Sequence, residues 1–122
     1  MRFLQRFGLT ALVILVVTIA LSVNLLAHAV LVDSTPKAGG VVKGPDVVVS
    51  LRFNVRIDGT RSRCTLVAPD GNNKTLVLDQ QSKPDILTSK AAGLVSGKYK
   101  LQWQVLAADG HISRGELTFT VQ

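Results

Sequence analysis

The chain falls into two parts by the pattern of its apolar positions. From Gly8 to Ala27 no charged residue interrupts a run of mostly Leu, Val, Ile and Ala, whereas beyond residue 28 apolar and polar residues take turns. A period of two marks a strand with one buried and one wetted face, because successive side chains leave the backbone on opposite sides. Val47, Val49, Leu51 and Phe53 alternate with Val48, Ser50, Arg52 and Asn54. Tyr99, Leu101, Trp103 and Val105 alternate with Lys98, Lys100, Gln102 and Gln104, which makes Trp103 a predicted core anchor. Leu117, Phe119 and Val121 alternate with Glu116, Thr118 and Thr120. With shorter candidates at 30–34, 64–68, 74–79 and 85–89, the pattern predicts about seven strands.

Turn residues fall between these runs. Pro69-Asp70-Gly71-Asn72-Asn73 predicts a hairpin joining 64–68 to 74–79, since Gly and Asn tolerate positive φ. Pro36 to Gly40, Asp58-Gly59 and Ser96-Gly97 predict further breaks. No helical period follows residue 28. Short strands with regular turns predict an all-β fold, either a two-sheet Greek-key sandwich or a small barrel.

The leader adds compartment to this picture. Arg2 and Arg6 precede the apolar run and the small residue Ala27 closes it, so residues 1–27 are expected to be a signal peptide and 28–122 the exported domain. The run is also long enough to span a bilayer, so an uncleaved signal anchor competes with that reading. Two cuts fit. Ala27-His28-Ala29 matches the A-x-A rule and places one after Ala29, discarding His28; the other, after Ala27, makes His28 the first residue. The expected location is the periplasm or the outer face of the cell membrane.

Composition removes several functions. The formal charge of +6 includes Arg2 and Arg6, so the domain carries +4, without a dense Lys/Arg run, and nucleic-acid binding is not expected. A single cysteine, Cys64, forms no intrachain disulfide and sits in the strand-like run 64–68, where a buried thiol acts as a small hydrophobe. There is neither a Gly-rich phosphate loop nor a Cys-x-x-Cys pair. Asp109, two residues from His111, is poorly placed to orient that ring in a Ser-His-Asp triad.

The remaining chemistry is metal binding. His28 and His111 are the only histidines, and Asp109-Gly110-His111 directly follows the Trp103 strand. In extended backbone Asp109 and His111 would point the same way. A free N-terminal His28 would offer its amine and Nδ1 in one six-membered chelate ring, and His111 and Asp109 would complete the set. Nitrogen and oxygen donors in a tetragonal arrangement suit Cu(II), with one ion expected and zinc as second choice. The only methionine is Met1, so the domain has no thioether site for Cu(I).

Two blocks carry a resemblance to a known family. His28-Ala29-Val30-Leu31-Val32-Asp33-Ser34-Thr35-Pro36-Lys37-Ala38-Gly39 and Trp103-Gln104-Val105-Leu106-Ala107-Ala108-Asp109-Gly110-His111, continued by Gly115, Phe119 and Val121, resemble the CopC family, copper resistance protein C. The resemblance implies an Ig-like, cupredoxin-like Greek-key β-sandwich. It further implies Cu(II) held by His28, Asp109 and His111, and a mature chain that starts at His28. It implies a non-enzymatic, monomeric protein serving copper resistance by sequestration or by handover to a CopD-type membrane copper transporter. Two other functions remain open. The same donors resemble the histidine brace of copper oxygenases, and an anchored, metal-free Ig-like module could use Arg52, Arg56, Arg61 and Arg63 as a contact face.

Overall fold

The computed structural model describes residues 28–122; the expected leader, residues 1–27, lies outside the described residues. Eight strands run in the order β1 (Leu31–Thr35), β2 (Val41–Val42), β3 (Val47–Phe53), β4 (Ile57–Val67), β5 (Asn73–Thr75), β6 (Ile86–Ala91), β7 (Gly97–Ala107) and β8 (Ile112–Val121). They form two sheets, one ordered β1-β3-β6 and the other β2-β8-β7-β4-β5. The fold is the expected all-β, Ig-like sandwich.

Alternation built the core as the sequence foretold. The inward positions Val47, Val49, Leu51 and Phe53 of β3 meet Leu101, Val105, Phe119 and Val121 of β7 and β8, all buried. Burying such side chains is the main stabilising term, roughly 1.5–3 kcal/mol for each. Tyr99 stacks on Phe119 with ring centroids 5.6 Å apart, and its hydroxyl donates to the Val95 carbonyl at 2.9 Å. Trp103 is only half-buried. It meets Phe53 edge-on at 6.3 Å, and its indole lies over Gly115 so closely that a Cβ there would collide with it.

Three strand boundaries differ from expectation for identifiable reasons. The eighth strand, β2, is two residues long and exists through parallel pairing of Val41 and Val42 with Thr120 and Val121, which no local alternation can announce. Asp58-Gly59 is not a break but lies inside β4, where the register with β7 slips between Asp58 and Arg63. Ser62 satisfies that bulge: its hydroxyl donates to the Asp58 carbonyl at 2.6 Å and accepts the Leu106 N–H at 3.0 Å. The 74–79 candidate splits. Asn73–Thr75 pairs with β4 across the expected hairpin, and then Leu78 bridges to Ser89 on the other sheet. Ser89 holds the crossing by donating to the Val77 carbonyl at 2.6 Å.

Candidate metal centre

The longest ladder in the molecule carries the Asp-Gly-His turn. β7 and β8 pair without interruption from Gly97↔Val121 to Leu106↔Ile112, and residues 108–111 close the hairpin. The Ala107 N–H donates to the His111 carbonyl and the Gly110 N–H to the Ala107 carbonyl, both at 2.9 Å. A third bond, from the Ala108 N–H to the Arg56 carbonyl at 3.1 Å, ties the turn to the start of β4. Gly110 has φ +90°, a conformation that side-chain-bearing residues avoid.

Asp109 and His111 meet, though not by the extended geometry expected of them. They lie in a turn, and Asp109 curls back in an Asx arrangement. Its Oδ1 accepts the His111 N–H at 3.0 Å, and its Oδ2 lies 3.0 Å from His111 Nδ1. The contact with the His111 ring, then the bond from its N–H, holds the Asp109 carboxyl below its ordinary pKa. With Nδ1 engaged by the carboxylate, Nε2 is the ring nitrogen left for a cation, the usual arrangement in carboxylate–histidine–metal sites.

His28 comes to the same end of the sandwich from far away in sequence. Its ring centroid lies 6.3 Å from that of His111, the planes tilted by 45°. Ala29, the next residue, is buried in the core and acts as a plug. Its N–H donates to Ser113 Oγ at 3.2 Å, from the five-stranded sheet. Val30 is tied to Asn54, just past β3 of the other sheet: Asn54 Oδ1 accepts the Val30 N–H at 2.8 Å, and the Asn54 N–H donates to the Val30 carbonyl at 3.0 Å. Ser113 and Asn54 escaped the sequence reading, because neither is a metal-ligating type and no spacing links them to His28.

The two rings stand just within reach of one shared ion. At a metal–nitrogen distance of about 2.0–2.1 Å, each ring centroid stands ~3.2 Å from the ion, so two imidazoles on one ion have centroids no more than ~6.4 Å apart. The observed 6.3 Å lies inside that limit. Among the described residues no three His, Cys, Asp or Glu side chains are already drawn into a cage. Cys64 takes no part: it is fully buried, and burial pushes its thiol up to about 11. A shallow depression of about 560 Å³ on the outer face of the five-stranded sheet, lined by Arg63, Gln104 and Arg114 among others, does not include the three candidates.

The class so defined is a small all-β sandwich with two histidines and an aspartate gathered at one end. The CopC domain matches residues 31–122, and the chain belongs to the CopC family. The matched stretch contains Asp109 and His111, and His28 lies three residues ahead of it. Protein YobA of Escherichia coli K12 is 29% identical over 99 residues, covering 79% of this chain and 80% of YobA. The crystal structure of CopC from Methylosinus trichosporium OB3b is 35% identical, with a TM-score of 0.70 over 78% of this chain and 94% of that one. PcoC, a methionine-rich copper resistance protein from Escherichia coli, shares the fold with a TM-score of 0.65 at 24% identity, over 79% of this chain and all of PcoC.

Proposed function

We propose that this protein is an exported copper-binding protein that holds one Cu(II) through His28, Asp109 and His111. It works in copper resistance by sequestering the ion or by passing it to a membrane transporter of the CopD type. The observation that carries the reading is the approach of His28 to His111 across 83 residues of chain, beside the Asp109 carboxylate. Copper is the metal named for PcoC, one of the proteins that share this fold.

The donor types favour Cu(II). Imidazole, amine and carboxylate suit Cu(II), while Cu(I) prefers thioether and thiolate. PcoC is methionine-rich; the sole methionine here is Met1, ahead of the domain. An anionic Asp109 further favours the divalent ion, so the protein binds and releases copper rather than cycling it through catalysis. Histidine 28 contributes both its nitrogens only when the leader is cut after Ala27, and the domain then works as a monomer in the periplasm or at the outer membrane face.

N-terminal mass spectrometry of the exported protein, paired with copper titration, tests this. A mature chain starting at His28 and binding one Cu(II) supports it. A start at Val30 with undiminished copper binding contradicts it.

A further inference from the structure

An N-terminal histidine offers a cation two different pairs of nitrogens. One pair is the amine with the imidazole, in a six-membered ring. The other is the amine with the nitrogen of the next peptide bond, in a five-membered ring, available when that N–H is free to give up its proton to water. In this protein the peptide nitrogen in question belongs to Ala29, and its N–H is already donated to Ser113 Oγ at 3.2 Å. The following N–H, of Val30, is donated to Asn54 Oδ1 at 2.8 Å. Both amides behind His28 are therefore committed to side-chain oxygens, one in β8 and one just past β3.

The framework around them is stiff. Ser113 sits at the start of β8, opposite Val105 in the ladder, and Val105 is fully buried. Asn54 grips Val30 at both its N–H and its carbonyl. Ala29, buried between them, stops the segment from swinging. His28 itself is exposed, next to His111.

We infer that Ser113 is a specificity-determining positioning residue: its hydroxyl withholds the Ala29 peptide nitrogen from the metal, so that His28 is offered through amine and imidazole. Asn54 supports it by fixing the direction in which the segment leaves the sheets. This inference rests on the copper reading of the site given above.

The test uses the domain beginning at His28, loaded with one equivalent of Cu(II) at a single fixed pH. Electron paramagnetic resonance distinguishes imidazole from amide nitrogens on the copper, and the visible d–d band reports ligand strength. Ser113→Ala is expected to exchange part of the His28 imidazole signature for an amide-nitrogen one, to move the d–d band to shorter wavelength, and to weaken binding by about 10-fold, the lower end of the range for outer-shell partners. Ser113→Thr keeps the acceptor and restores the wild-type spectrum. Asn54→Ala weakens binding without an amide-nitrogen signature. A purely structural Ser113 would lower the melting temperature of the metal-free protein and leave the imidazole signature alone, which would contradict the inference. A Ser113→Ala spectrum identical to wild type, in a protein whose spectrum does change on His28→Ala, overturns the inference and leaves the copper reading standing. A wild-type spectrum indifferent to His28→Ala overturns both.

Discussion

The two histidines reach the same place by opposite means. His111 is held locally: its partner Asp109 is two residues away, and its turn closes the longest ladder of the fold. His28 is held at long range, by Ser113 across 84 positions and by Asn54 across 24. A local site survives wherever its hairpin forms, while a long-range one needs both sheets assembled and, for its amine, a processing event as well. Under the proposed copper site, the difference separates a ligand that folding alone supplies from one that folding and export supply together.

The sharpest way to break this comparison is to remove each ligand. His111→Ala is expected to weaken copper binding by more than the roughly 10–100-fold that losing an outer-shell partner costs, whether or not the leader has been cut. Isothermal titration with a competing chelator measures it. Asp109→Asn is expected to cost at least about 10–100-fold, because the ion loses a carboxylate donor and the ring of His111 loses the charge that orients it. Gly110→Ala is next. A Cβ there meets nothing within 4 Å, so the cost is the left-handed backbone alone, about 1–2 kcal/mol in chemical denaturation. The same substitution leaves the His28 anchors untouched.

The smallest effect is electrostatic. Asp109 titrates lower in the folded protein than in the unfolded chain, so its contact with His111 contributes stability above the ordinary carboxylate pKa. That contribution disappears as pH falls through the lowered value. Thermal melts of the metal-free domain should therefore show a gap between wild type and Asp109→Asn near neutrality that closes below about pH 4. The pair is exposed, so the gap is small.

Legibility in the sequence followed the same divide. β3, β7 and β8 could be read directly because their apolar residues alternate and one face of each is buried. The turn at Asp109 to His111 stood out because two ligating types flank a glycine at a strand end. β2 could not be read, since two residues carry no period and only Thr120 and Val121 define them. Asp58-Gly59 misled for the opposite reason: turn-forming residues can sit in a strand when a bulge, here served by Ser62, absorbs them. Ser113 and Asn54 were invisible because their importance lies in accepting backbone N–H groups from a segment that only the tertiary fold brings near. The Ala27–His28 bond is a processing question, and lies ahead of the stretch matched by the family.

The most direct test compares two forms of the domain that differ by one residue ahead of His28. In the first, His28 is the N-terminus; in the second, one alanine precedes it. Competitive Cu(II) titration of both at the same pH should show tighter binding to the first by at least about tenfold, equivalent to ~1.4 kcal/mol for the lost amine. Equal affinities would mean that the amine of His28 does not bind copper, and would contradict the site as described.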